Sequence, residues 1–204
     1  MRKIFYLSLF FLLASCKEVP VTITEMRCEY LTSPINLDAK QPRFTWIYAS
    51  EGNKNWKQTA CKLDIALSKE ALEQDELFWS SGKMADSRSI ATYKGEAGLT
   101  AHTRYYNKTI VSQVDSFETA MMHTQEWKAQ WITDDHDKSF APAPLFRKTF
   151  SVEKDILDAR VYISAAAYYK LFINGKVPNS EKLDPGYTHY DKRNLYTTID
   201  VTQS

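Results

Sequence analysis

Neither sign of charge is in excess in this chain: 26 Lys and Arg stand against 25 Asp and Glu, a formal +1 at neutral pH. Without a basic field nothing holds a phosphate backbone, which excludes nucleic acid as a partner. No apolar run reaches the roughly 20 residues that a transmembrane helix needs; the run at the start, Ile4 to Leu13, is too short to span a bilayer. Glycine-rich phosphate loops, nucleophile elbows and paired-cysteine metal motifs are missing, as are internal repeats and low-complexity tracts. No cofactor and no metal ion is therefore expected. What is present is enough apolar residue, 44% against 25% charged, for a globular chain to bury a core. A length of 204 residues suits one large domain or two small ones.

The first residues, "MRKIFYLSLFFLLASC", form a separate object. Arg2 and Lys3 supply a positive start, and the short apolar run follows. Leu13-Ala14-Ser15-Cys16 then resembles the lipobox of bacterial lipoproteins. That resemblance implies cleavage before Cys16, lipidation of that cysteine, and a membrane partner reached through the lipid anchor. Several acyl chains hold where a single one binds only marginally. The implied location is the bacterial outer membrane, facing the periplasm or the cell surface; Lys17 and Glu18 after the cysteine, with no aspartate directly behind it, are similar to surface-exported lipoproteins. Two further cysteines, Cys28 and Cys61, lie in alternating segments. An exported chain permits a bridge between them, and buried free thiols fit equally well.

From Pro20 to about Met122 short strand-like segments alternate with turn chemistry. "VTITEMRCEYL", "PRFTWIYA", "QTACKLDIALS", "LFWSSGKM", "SIATYKG", "TRYYNKTIV" and "DSFETAMM" make seven candidates, with "EGNKN" as one of the turns. One or two helical turns are expected in "SKEALEQDEL", where Ser68 precedes good helix formers. Seven strands without long helices predict an immunoglobulin or fibronectin type III sandwich. The pattern restarts at "QEWKAQWI", passes through the polar "TDDHDKSFAPAP", and gives a strand at "LFRKTFSV". "DARVYISAAAYYKLFINGKVP" then predicts a hairpin about Asn174-Gly175, a pair that tolerates the positive φ of a type I′ turn. In that hairpin Tyr169, Leu171 and Ile173 would share one face, and Tyr168, Lys170 and Phe172 the other.

In order along the chain, "MRCEYLTSPINLDAKQPRFTWI", "QTACKLDIALS", "FWSSGKM", "TRYY" and "SFETAMM" resemble the amino-terminal β-sandwich of bacterial α-L-rhamnosidases of glycoside hydrolase family 78. "EWKAQWI", "LFRKTFSV", "ARVYISAAAYYKLFINGK", "LDPGYTHYDKR" and "YTTIDVT" are similar to the jelly-roll domain that follows in those enzymes. Two places depart from that pattern: Asn107-Lys108-Thr109 stands where a tryptophan and a longer turn are usual, and Cys61 where an aromatic is common. The expectation is an all-β chain: a signal peptide at 1–15, a lipidated linker at 16–23, a fibronectin III/immunoglobulin-like sandwich at 24–122, and a partial, galactose-binding-like jelly roll at 125–204. A jelly roll needs about eight strands, and only five or six can be counted here, which points to a truncated product.

The resemblance implies an inverting hydrolase acting on terminal α-L-rhamnose of glycans, its two carboxyl groups lying on a helical barrel. None of the acids in this chain inherits that role, so no catalytic residue is assigned and the piece is expected to be inactive alone. A stand-alone carbohydrate-binding or scaffolding surface lipoprotein is the alternative. Candidate sugar contacts are Trp56, in the polar stretch "NKNWKQ", and Asp184, Tyr187, His189 and Tyr190 in "LDPGYTHYDKR". For the second group the plainer expectation is a turn at Asp184-Pro185-Gly186 and a solvated strand end at Asp191 to Arg193. Asp134 to Asp137, "DDHD", is read as a solvated loop rather than a metal site. Trp46 is expected in the core, Trp79 beneath the Ser80-Ser81-Gly82 turn, and Trp127 and Trp131 between the two domains. The glycosylation pattern at Asn107 is not expected to be used.

Overall fold

A computed structural model describes residues 21–50, 56–110, 112–137, 139 and 142–204. The chain divides into two compact units, with the break between Met122 and His123. The "EGNKN" turn lies outside the described residues.

The first unit holds β1 (Val21–Cys28), β2 (Arg43–Ser50), β3 (Leu63–Ala66), α1 (Lys69–Glu73), β4 (Trp79–Ser80), β5 (Ile90–Thr92), β6 (Arg104–Thr109) and β7 (Asp115–Glu118). Each of the seven predicted segments contains one of these strands. They form two antiparallel sheets, β1-β2-β5 and β4-β3-β6-β7. A three-plus-four arrangement of this kind is an immunoglobulin-type sandwich.

Strict alternation in β1 would bury Glu25 and Arg27 along with Ile23. It does not, because the register slips between Ile23 and Glu25 against β2, a bulge at Thr24. One extra residue moves the following side chains to the opposite face. Met26 and Cys28 therefore join Ile23 in the core, and Glu25 pairs with Arg27 on the outer face.

Facing aromatics close the sandwich. Phe44 of β2 meets Phe117 of β7 edge-on at 5.5 Å, and Phe117 stacks on Tyr105 of β6 at 5.3 Å. All three are essentially sealed from water, a burial that stabilises by about 1.5–3 kcal/mol per side chain. Tyr105 also accepts a hydrogen bond at its hydroxyl from the Thr100 backbone N–H at 2.9 Å, five residues upstream. That tie is the tyrosine corner of such sandwiches. Trp46 lies in the core, and Trp79 packs edge-on against Tyr93 at 5.1 Å.

β3 runs between β4 and β6, and all four of its residues are buried. Asp64 is tolerated there because Ser80 Oγ donates to its carboxylate at 2.6 Å and Lys62 pairs with it at 2.8 Å. Helix α1 begins where Ser68 Oγ accepts from the Ala71 N–H at 3.0 Å, and it anchors Leu72 in the interior. Cys28 and Cys61 are both buried free thiols.

The second unit has a 3₁₀ turn at Thr124–Glu126 and two paired strands, β8 (Arg160–Ser164) and β9 (Tyr196–Asp200). Their clasp is the guanidinium of Arg160, which meets Asp200 at 3.0 Å and donates to the Ala159 carbonyl at 3.0 Å. Two expectations fail here. "LFRKTFSV" forms no strand, and Leu145 and Phe150 are 92% and 76% exposed. The Asn174-Gly175 turn is present, with φ of 50° and 79° and mutual Ile173–Lys176 hydrogen bonds of 2.8 and 2.9 Å. Its flanks, however, are not strands: β8 stops at Ser164, and Ala167 has φ 112°. Alternation makes a strand only where a neighbour supplies the ladder, and among the described residues none flanks these segments. Trp127 packs on Tyr196 of its own unit at 5.7 Å, and Trp131 is largely exposed.

Candidate functional site

Trp56 follows β2 and borders an open cleft of about 640 Å³, together with Tyr48, Lys57, Gln58, Thr59, Ser87 and Ser89. Two elements build its floor. β2 alternates so that Phe44 and Trp46 point into the core, and Tyr48, next in the same row, reaches the edge of the sheet half-buried. Trp56 then lies against Tyr48, ring centres 4.4 Å apart and planes tilted by 53°.

Gln58 fastens this floor to the interior. It is 5% exposed, and both ends of its amide are occupied. Its Oε1 accepts from the Tyr48 hydroxyl and, at 3.2 Å, from Trp46 Nε1. Its Nε2 donates to the carbonyls of Asp86 and Arg88 at 2.6 and 2.7 Å. The Tyr48 hydroxyl also accepts from Trp46 Nε1 at 2.7 Å, and burial raises its pKa above the ordinary phenol value. Tyr48 thus stays neutral, its polar tip used up and its ring facing the cleft.

The opposite wall, Ser87 and Ser89, is held by the same amide. Asp86 adds a second fastening, accepting from the Arg88 N–H at 2.9 Å and pairing with its guanidinium at 2.8 Å. The Arg88 contact, more than any other, lowers the Asp86 carboxyl from 3.8 to about 2. Asp86 and Arg88 neutralise each other beside the cleft, and Lys57 is the one cation among the described lining residues.

Asp184, Tyr187, His189 and Tyr190 lie in the second unit. The Asp184 carbonyl accepts from the Tyr169 N–H at 3.1 Å. Tyr187 is 78% exposed and meets Tyr190 edge-on at 5.3 Å. His189 Nδ1 lies 3.1 Å from Asp191 on the surface. The Tyr190 hydroxyl and one Asp184 carboxylate oxygen are buried, with no hydrogen-bond partner among the described residues. Asp134 contacts His136 at 3.2 Å, and Asp137 caps the Ser139 N–H at 2.8 Å. Among the described residues no three His, Cys, Asp or Glu side chains gather to hold a metal ion, and no helix is long and apolar enough to cross a membrane. Cys16 and its lipobox lie outside the described residues.

Sequence reasoning singled out Trp56 but missed Tyr48, Gln58, Ser87 and Ser89. Alternation from Trp46 is the signal that would have found Tyr48; no local signal brings residues 87 and 89 to residue 56.

Sheet order, tyrosine corner and cleft define an immunoglobulin-type β-sandwich module with an aromatic-walled groove, followed by a second β unit. Residues 23–132 match the Rha78A-like N-terminal immunoglobulin domain, and the chain belongs to that family. Residues 154–204 match the alpha-L-rhamnosidase N-terminal domain. An alpha-L-rhamnosidase of Alteromonas sp. (strain LOR) is 31% identical over 85% of this chain and 21% of its own length. Another, of Formosa agariphila, is 28% identical over 93% and 24%. The solved alpha-L-rhamnosidase of Dictyoglumus thermophilum superposes with a TM-score of 0.76 at 34% identity, over 89% of this chain and 23% of that one. The chain thus spans about a quarter of the length of the relatives it matches, and corresponds to their N-terminal region.

Proposed function

We propose that this chain is the non-catalytic N-terminal portion of an α-L-rhamnosidase, carried on a lipid anchor at Cys16 and serving to support and position a hydrolytic domain on rhamnose-containing glycans. The observation that carries this reading is the ordered pair of matches, an immunoglobulin domain at 23–132 followed by the rhamnosidase N-terminal domain at 154–204. The positive start, short apolar run and Leu-Ala-Ser-Cys ending support an outer-membrane lipoprotein facing the periplasm or cell surface. The open surface of the second unit, with Leu145 and Phe150 bare, suits a module completed by further polypeptide.

The full chain, incubated with an aryl α-L-rhamnoside, is expected to release no phenol. Turnover above the buffer rate would overturn the reading. Labelling with radioactive fatty acid should follow Cys16 and disappear in Cys16→Ala; retained label would remove the anchor.

A further inference from the structure

We infer that the groove of the first unit, lined by Trp56 and Tyr48, is a binding site for a neutral saccharide. This goes beyond the supporting role proposed above and rests on different observations.

A sugar ring has an apolar C–H face and a hydroxyl edge, so its binding site needs an aromatic surface and nearby polar groups. Both are here. Trp56 and Tyr48, in mutual contact with ring centres 4.4 Å apart, supply one continuous aromatic surface, and Lys57, Thr59, Ser87 and Ser89 bring an ammonium and three hydroxyls to the lining. A volume of about 640 Å³ falls within the 300–1,000 Å³ usual for small-molecule clefts.

The floor is organised before any ligand arrives. Gln58 locks the Tyr48 hydroxyl and the backbone on either side of Ser87, so little order is lost when the site fills. Charge disfavours an anion. Among the described lining residues an anionic ligand would find one lysine, because Asp86 already holds Arg88. A fully apolar ligand would strand the serine and threonine hydroxyls. A proline-rich peptide needs an aromatic-lined groove that follows several residues of extended chain; a single tilted pair fits one ring.

The test is titration of the full chain, in detergent, with L-rhamnose, D-glucose and a panel of uncharged oligosaccharides, read by tryptophan fluorescence and by saturation-transfer NMR from indole protons to sugar C–H protons. Saturable binding by at least one sugar is expected. Trp56→Ala should weaken it by about tenfold or more, and Trp56→Phe should restore part of it. Trp56 lies outside every strand, so unchanged circular dichroism and melting in Trp56→Ala would separate lost binding from lost fold. If that variant does unfold, Thr59→Ala serves instead, with weaker binding expected. Silence across the whole panel, binding indifferent to both residues, or occupation only by a proline-rich peptide overturns the inference. Hydrolysis of an aryl rhamnoside would leave it standing and overturn only the supporting role, so the two failures are distinguishable.

Discussion

The two units use similar sequence patterns to different ends. "RFTWIYAS" becomes β2, with neighbours on both sides and Phe44 and Trp46 sealed in the core. "LFRKTFSV" has comparable apolar content yet pairs with nothing among the described residues. Burial differs accordingly. The first unit closes two sheets over a shared aromatic core, whereas the described residues of the second hold one pair of strands and a single buried hydrophobic, Ile199. An isolated two-stranded ribbon is marginal in water. Strand propensity is thus a request for a partner, which every candidate of the first unit finds and "LFRKTFSV" does not among the described residues.

The largest effect that would sharpen this contrast is a pair of truncations. Phe117→Ala should destabilise the first unit by about 3–5 kcal/mol, the usual cost of removing a buried phenylalanine. Phe150→Ala should stay within about 0.5 kcal/mol, as exposed substitutions do. Urea unfolding of both variants checks the pair, and equal losses would break the comparison. Next comes Tyr105→Phe, which leaves the Thr100 N–H without its acceptor and should cost about 1–3 kcal/mol; thermal unfolding measures it. Ser68→Ala, removing the cap of α1, should cost about 1 kcal/mol. Retained melting temperature would show that Leu72 packing alone holds the helix.

The smallest effect is pH-dependent. Asp86 has a folded pKa of about 2 against an ordinary 3.8, held down first by Arg88. A depressed folded value means the contribution is complete above the unfolded pKa and fades as pH falls from 3.8 towards 2. Carboxyl NMR titration should place Asp86 below the other aspartates, and Asp86→Asn should lessen the acid sensitivity of the loop bearing Ser87 and Ser89. An Asp86 midpoint near 3.8 would remove one of the two fastenings of that wall.

Much of the fold was legible because its cause is local. Alternation marked the seven strands of the first unit, Ser68 marked the start of α1, and Asn174-Gly175 marked a turn whose positive φ values the structure shows. The polar surroundings of Trp56 singled it out as an exposed ring; in the structure it is half-buried against Tyr48 and borders the groove. What stayed hidden was non-local. Nothing around Thr24 announces a bulge, since the slip exists only against β2. Gln58 reads as an ordinary polar residue until Trp46, Tyr48, Asp86 and Arg88 converge on its amide.

The order of residues alone determined that this protein is built from strands and where its turns fall, because period-two alternation and turn chemistry act within a few residues. Tertiary structure alone decided which alternating segments became strands and which side chains face the groove. Hydrogen-bond ladders and burial belong to pairs of segments distant in the chain, and no single segment carries them.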